Sequence, residues 1–152
     1  MTAKIAIQAE PFDATAEVAR LAAGCSDIGA IVTFTGLTRD EGGRLAALEL
    51  EHYPGMAEEE IGRVVAEAES RWPLQGVTVI HRHGKLAPGE PIVLVVAASA
   101  HRTAAFEAAE FLMDYLKTRA PFWKKEHLKD GSTGDWVAAK DADDAATARW
   151  QR

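Results

Sequence analysis

Residues 99–126 constrain the fold most strongly, because they predict one long helix between two strands. Within them, residues 102–119 place Ala105, Leu112 and Leu116 on a single face, which is the spacing of an amphipathic helix. Pro121 is expected to end the helix, since a proline disfavours the helical conformation of the residue before it. A helix of this length must bury its apolar face, so the rest of the chain has to supply a partner layer.

Positive charge at both ends of this predicted helix points to an anion. Lys117 lies near the C-terminal end, where the helix dipole favours a cation. His101 and Arg102 lie at the N-terminal end, where unpaired N–H groups already carry partial positive charge, so a cation there is unfavourable unless an anion binds. The segment therefore predicts a pocket for a phosphate or a carboxylate.

Hydrophobic periodicity elsewhere predicts an α+β domain with a mainly antiparallel, hairpin-rich sheet and helices packed on it. Residues 87–90, Ala-Pro-Gly-Glu, have strong turn chemistry and predict a hairpin between the strands on either side. Residues 36–43 predict a polar loop after a buried strand. The predicted order is β-α-β-β-α-β-β-α-β-β, with strands at 4–9, 30–35, 45–53, 77–86, 92–98, 123–128 and 135–139 and helices from Asp13 to near Gly24, at 56–72 and at 102–119.

The charge distribution favours a small anionic ligand or one acidic partner. The 152-residue chain, long enough for one domain, has a net charge of −6, which argues against a general binder of nucleic acids or anionic membranes. Residues 101–129 nevertheless contain six lysines and arginines against four acids. This locally basic segment on an acidic protein is where we expect the ligand.

A single cysteine, Cys25, excludes an intrachain disulfide and is typical of a reducing cytoplasm. Cys25 follows Gly24 with no basic residue close by in sequence, so we interpret it as incidental rather than as a nucleophile. Residues 1–4 lack the apolar core of a secretory signal, and no apolar run approaches the ~20 residues of a membrane span. We therefore expect a cytoplasmic protein.

Each cation of the predicted site also has an ordinary structural interpretation. Arg39 can reach a ligand from a glycine-flanked loop, but from its spacing alone a solvated loop arginine is the better interpretation. Lys117 is three residues from Asp114 and can form an intrahelical ion pair worth ~0.2–0.5 kcal/mol. Lys124 and Lys125 should point to opposite faces of a strand, so one can face a pocket while the other faces water. A lysine held near other cations can act as a base or a nucleophile.

The aromatic and histidine residues give weaker signals. Phe122 and Trp123 can stack on a flat heterocycle, but at least one is expected in the core. His81 and His83 lie in a predicted strand, and no second cluster at metal-ligand spacing joins them, so we expect no metal site. His52 is interpreted as structural. The sequence has no Walker loop, G-x-G-x-x-G or G-x-S-x-G motif, and we expect no cofactor.

The chain resembles the large, catalytic subunit of molybdopterin synthase over nearly its whole length. The resemblance is carried by five sequence blocks in the same order, with Trp136-Val137 after them. Any one block alone would be weak, but five in the right order are specific. The blocks are Gly-Ala-Ile-Val-Thr-Phe-Thr-Gly at 29–36 with Arg39, Leu-Glu-Leu-Glu-His-Tyr-Pro-Gly-Met at 48–56, Val-Ile-His-Arg at 79–82 with Gly84, Ser-Ala-His-Arg at 99–102 with Ala105-Phe106, and Asp-Tyr-Leu-Lys-Thr-Arg-Ala-Pro-Phe-Trp-Lys-Lys-Glu at 114–126.

The resemblance implies a sulfurtransferase of molybdenum cofactor biosynthesis. Such enzymes add two sulfurs to cyclic pyranopterin monophosphate and so form the dithiolene of molybdopterin. The sulfur arrives as a thiocarboxylate at the C-terminal Gly-Gly of a small ubiquitin-like subunit. Both ligands are anions, which agrees with the basic segment, and an external sulfur donor leaves no role for Cys25.

The resemblance also implies which residues form the site. Lys117 matches the catalytic lysine, and Lys124 matches a second functional lysine. Arg39, His101 and Arg102 match contacts to the pterin phosphate. Leu37 and Thr38 adjoin Arg39, Lys125 and Glu126 adjoin Lys124, and all four are included among the substrate-binding residues.

The family architecture implied by the resemblance is an α/β-hammerhead fold that forms a dimer of large subunits, with one small subunit at each end. A pocket of such a dimer can borrow an arginine from the neighbouring protomer. Residues 1–140 are predicted to be the single domain and residues 141–152 a C-terminal tail. Two alternatives remain open: a non-catalytic module that binds a pterin phosphate or a ubiquitin-like tail, and a purely structural component of an oligomer.

Overall fold

The computed structural model describes residues 3–120, 122–137, 141–148 and 150–151. They form an α+β fold in which all strand pairs but one are antiparallel, which confirms the predicted fold class. The strands are β1 Lys4–Gln8, β2 Ala30–Leu37, β3 Leu45–His52, β4 Leu74–Arg82, β5 Gly84–Leu86, β6 Pro91–Ser99 and β7 Phe122–Leu128, and the helices are α1 Ala14–Ala22, α2 Met56–Arg71, α3 Arg102–Arg119 and α4 Asp141–Ala148.

The strands divide into two sheets. Sheet A has the order β1-β4-β6-β2, and its only parallel pair among the described strands is β1 with β4. Sheet B has the order β5-β3-β7 and is antiparallel throughout. Strand β2 lies at one edge of sheet A, and α3 packs on the same sheet.

The core fills both faces of sheet A. On one face, Val79 and Val95 pack against α2 and α3, where Phe111 and Leu112 are fully buried. On the other face, Ile80 and Leu94 pack under α1. Because successive residues of a strand alternate between faces, a strand covered on both sides needs apolar residues at consecutive positions. Strand β6 has such a run from Ile92 to Ala98, and β4 has Val77, Val79 and Ile80.

The predicted strand at 77–86 is wrong as a single strand. It divides at His83 into β4 and β5, which belong to different sheets. Gly84 has φ 93°, a left-handed conformation that side-chain-bearing residues rarely adopt, and it turns the chain out of sheet A. The hairpin predicted around residues 87–90 therefore joins β5, not β4, to β6. Strands β4 and β6 still pair antiparallel, but with β5 between them in sequence.

Two further predictions need correction near the ends of elements. The predicted loop at 36–43 begins too early, because β2 continues through Gly36 and Leu37 with a register shift opposite β6. The predicted strand at 135–139 is reduced, within the described residues, to isolated bridges such as Lys124 with Val137. Pro121, predicted to end α3, and residues 138–140, which include the predicted domain boundary, lie outside the described residues.

The C-terminal segment packs on α3. Trp150 donates its indole N–H to Asp114 Oδ2 at 2.6 Å. Its ring meets Trp72 and Phe111 edge-on, with centroids 5.7 and 5.6 Å apart. This contact ties the end of the chain to the helix that carries Lys117.

Candidate functional site

A pocket of about 130 Å³ opens where sheet A, sheet B and the C-terminal part of α3 meet. Lys117 comes from the last turns of α3, and Lys124 comes from β7. No acidic side chain is among the described residues that line it. The lining residues are Phe34, Gly36, Leu37, Leu48, Leu50, His81, Ile92, Val93, Met113, Leu116, Lys117, Ala120, Phe122 and Lys124.

Strand alternation explains why Lys124 enters the pocket and Lys125 does not. Lys124 pairs with Leu50 across the sheet, and both side chains line the pocket. Lys125 projects from the opposite face, where its ammonium lies 5.5 Å from the centre of the Trp136 ring. Glu126 is exposed and is not among the lining residues.

Lys117 does not form the ion pair with Asp114 that the sequence allows. The Asp114 carboxylate accepts instead from Trp150. Lys117 is exposed and makes no hydrogen bond or ion pair within the described part of the chain. Its ammonium is therefore available to a ligand in the pocket.

The end of β2 and the loop after it bring three of the predicted residues to the pocket or its margin. Leu37 lines the pocket and is 55% exposed. Thr38 is buried; its N–H donates to the Glu90 carbonyl at 2.8 Å, and its own carbonyl accepts from Gly89. These backbone bonds fix the point from which Arg39, which is exposed, leaves the sheet.

His101 and Arg102 lie at the far end of α3 from the pocket. Lys117 lies fifteen positions after Arg102 on one continuous helix, and at 1.5 Å per residue the separation is about 22 Å. Both residues are exposed, and the His101 side chain makes no capping bond. One protomer alone therefore brings Lys117 and Lys124 together but leaves His101 and Arg102 apart from them.

The sequence reasoning missed His81, which it treated only as a failed metal ligand. His81 lines the pocket and stacks on Phe122, with ring centroids 3.8 Å apart. Burial lowers the pKa of its imidazole to about 4, and the nearby charges of Lys117, His52 and Lys124 act in the same direction. The signal was present in the sequence: His81 shares the alternation of Val77 and Val79 and so had to point toward the helices.

Apolar side chains complete the walls; the sequence offered Phe122 as a ring that can stack on a heterocycle but gave no signal for Phe34 or Met113. Phe34, Met113 and Phe122 line the pocket together with the two lysines. The arrangement suits a ligand with a flat apolar part and negative charge, because aromatic faces accept the former and ammonium groups the latter. None of the helices in the described ranges is long and apolar enough to cross a membrane.

Comparison with known proteins gives a consistent result. The family model described as "MoaE protein" matches residues 7–119. The molybdopterin synthase catalytic subunit of Mesorhizobium japonicum is 69% identical over 147 residues, 97% of this chain and 92% of that protein. The solved MoaE protein from Burkholderia ambifaria is 50% identical, has a TM-score of 0.86 and covers 99% of both chains. The solved molybdopterin synthase from Staphylococcus aureus is 32% identical, with a TM-score of 0.77 over 87% of this chain and 95% of that one.

Proposed function

Because the chain belongs to the MoaE protein family, we propose that it is the catalytic subunit of a molybdopterin synthase. It transfers sulfur to cyclic pyranopterin monophosphate in molybdenum cofactor biosynthesis. The sulfur comes from the thiocarboxylated C-terminus of a small ubiquitin-like subunit. The observation that carries this proposal is the meeting of Lys117 and Lys124, from α3 and β7, in one pocket with no acid in its described lining.

The size of the pocket supports a ligand that is only partly enclosed. A cavity of about 150 Å³ holds a single benzene ring, and this pocket is close to that size. A fused pterin with its phosphate must therefore extend beyond the described lining. Its negative end needs further cations outside the pocket, and Arg39 beyond Leu37 is near enough in sequence to supply one.

His101 and Arg102 are proposed to act on the pocket of a second protomer. They cannot reach Lys117 of their own chain across about 22 Å of helix. The first turn of α3 contains no acidic residue, and Phe106, four residues after Arg102, is 61% exposed. An apolar residue beside an unused anion site suits contact with another subunit, and a two-fold dimer would complete two pockets at once.

The proposed mechanism is electrostatic positioning. The cations hold the substrate phosphate and the incoming thiocarboxylate together, which converts a bimolecular attack into a nearly unimolecular one. Lys117 then assists proton transfer or stabilises the developing negative charge, and Lys124 supports it from β7. Leu37, Thr38, Lys125 and Glu126 remain in the proposed substrate site. Leu37 belongs to the pocket lining and Thr38 to its margin, whereas Lys125 and Glu126 are outside the lining and could meet only a part of the ligand that extends beyond the pocket.

The direct test mixes the chain with cyclic pyranopterin monophosphate and the thiocarboxylated small subunit and measures dithiolene formation. We expect turnover by the wild type and a loss of at least about 100-fold in Lys117→Ala, the scale of removing one transition-state donor. Lys129→Ala is the matched control, because Lys129 is exposed and outside the pocket. Absence of turnover in the wild type, or full activity of Lys117→Ala, overturns the proposal.

The same assay separates the alternatives. A binding module predicts pterin-phosphate binding that depends on Arg102 but gives no dithiolene. A structural component predicts no salt-dependent anion binding at all. We place the reaction in the cytoplasm, for which the single Cys25 is the supporting observation.

A further inference from the structure

His81 is the third titratable side chain in the described lining of the pocket, after Lys117 and Lys124. It lies near the end of β4, on the face that Val77 and Val79 bury against α2 and α3. Phe122 stacks on the ring with the two planes inclined by only 15°. The imidazole is therefore held in one orientation by the sheet on one side and by an aromatic ring on the other.

A backbone hydrogen bond fixes which ring nitrogen carries the proton. Nδ1 of His81 lies 2.8 Å from the carbonyl oxygen of Arg82. A carbonyl can only accept, so Nδ1 is the protonated nitrogen of the neutral ring and donates to it. Nε2 is then a bare acceptor, and the described residues offer it no partner.

The surroundings keep the ring neutral. The charged or titratable groups that act on it are Lys117, Lys124 and His52, and each opposes protonation. Burial opposes protonation most strongly, and the bond to the Arg82 carbonyl, which favours it, does not outweigh burial and these charges together. A protonated His81 would add a third positive charge to a pocket that already holds two.

The polar side chains of the lining are thus of two kinds, hydrogen-bond donors and a hydrogen-bond acceptor. The ammonium groups of Lys117 and Lys124 can only donate. His81 is the one polar side chain of the described lining that can accept. A ligand held by the lysines alone would be recognised only by its negative charge and its acceptors, whereas a ligand with an N–H or O–H group in addition can satisfy Nε2.

We propose that Nε2 of His81 accepts a hydrogen bond from the bound ligand and so selects, among anions that fit the pocket, a heterocycle carrying an N–H or O–H donor. This inference rests on the proposed function, because the pterin substrate carries both a phosphate and ring donors. It assigns to His81 a role in substrate recognition rather than in proton transfer. A site that hydrogen-bonds a ligand donor discriminates strongly against analogues without it, since the acceptor is then left buried and unpaired.

The test compares three substitutions that differ in where they leave an acceptor. His81→Gln places an amide oxygen near the position of Nε2, His81→Asn places one near Nδ1, and His81→Phe keeps a ring against Phe122 but no acceptor. The dissociation constant of cyclic pyranopterin monophosphate is measured by titration calorimetry on the full-length chain. KM and kcat are then measured with the thiocarboxylated small subunit, and thermal unfolding reports whether each variant is folded.

We expect His81→Phe and His81→Asn to weaken binding about tenfold or more, to raise KM by a similar factor and to leave kcat within about threefold. His81→Gln should bind within about threefold of the wild type. If His81→Phe does not fold, the Gln and Asn pair carries the same comparison. Wild-type binding by both Phe and Asn variants, or weak binding by a folded Gln variant, overturns the role of His81. Failure of the wild type to bind the pterin overturns the proposed function itself, and the inference falls with it.

Discussion

The imidazole of His81 and the ring of Phe122 stack with centroids 3.8 Å apart, and this contact joins sheet A to sheet B at the pocket. The two residues are 41 positions apart, on β4 and β7. The stack connects β4, which carries His81, to β7, which carries both Phe122 and Lys124. Interference with either ring should therefore affect both the stability of the fold and the shape of the site.

Replacing Phe122 with leucine should remove the stack while keeping an apolar side chain. We expect a loss of about 1 kcal/mol in the free energy of unfolding, the scale of an aromatic pair beyond its buried area. Urea denaturation measures it. Tyr53→Leu is the comparison, since Tyr53 is 60% exposed and contacts Trp123 only edge-on. An equal loss in both variants would mean that the stack makes no special contribution.

The pKa of His81 predicts a pH dependence of stability. Its value of about 4 in the folded chain lies below the ordinary 6.5, so between these values the unfolded chain binds a proton that the folded chain does not. Stability is highest above pH 6.5 and decreases as the pH falls toward 4, by roughly 3 kcal/mol from this residue. Urea denaturation at pH 7.5, 6 and 5 should show a shallower decrease for His81→Gln than for the wild type. Parallel curves for the two proteins would contradict the prediction.

A mixed-dimer experiment tests whether the pocket is completed by a second protomer. Arg102→Ala and Lys117→Ala should each have low activity alone. In dimers formed by co-expressing both, one of the two pockets combines an intact Lys117 with an intact Arg102 from the neighbour. Random pairing should then restore about a quarter of wild-type dithiolene formation. If all the residues acted within one chain, the mixture would be no more active than the two variants measured separately.

Deleting residues 141–152 tests the predicted division into a domain and a tail. We expect the shortened chain to fold but to lose about 2 kcal/mol of stability, because the Trp150 contacts with Trp72, Phe111 and Asp114 disappear. Thermal unfolding and urea denaturation measure the loss. Trp150→Phe keeps one ring but removes the bond to Asp114 and part of the ring contact, so it should cost at least about 1 kcal/mol. A deletion as stable as the full chain would show that the Trp150 contacts contribute nothing.

Local patterns were sufficient to predict most elements. The apolar spacing of 102–119 predicted α3 with the bounds that the structure has, and the alternation along β7 predicted that Lys124 and Lys125 face opposite sides. These features depend on neighbours a few residues away, which a sequence displays directly.

Features that depend on distant residues were not predictable in the same way. The break at Gly84 lies inside a continuous strand-like pattern, and only the pairing of β5 with β3 shows why the chain turns there. His81 enters the site because Phe122 and Lys124 arrive beside it from another sheet. The separation of Arg102 from Lys117 follows from helix length, but whether another subunit closes that gap is not a property of one chain.

A substitution at Gly84, in the turn between β4 and β5, can alter the enzyme although Gly84 does not line the pocket. This turn is the shortest covalent link between the wall that bears His81 and the wall that bears Lys124. A side chain at this position would meet no neighbouring atom within 4 Å, yet the backbone would have to leave φ 93°. Gly84→Ala would then strain the turn between β4 and β5, beside Leu50 of the pocket lining, although its added methyl group would contact no other side chain. Inherited or engineered defects in such an enzyme should therefore be sought at this turn as well as among the groups that meet the substrate.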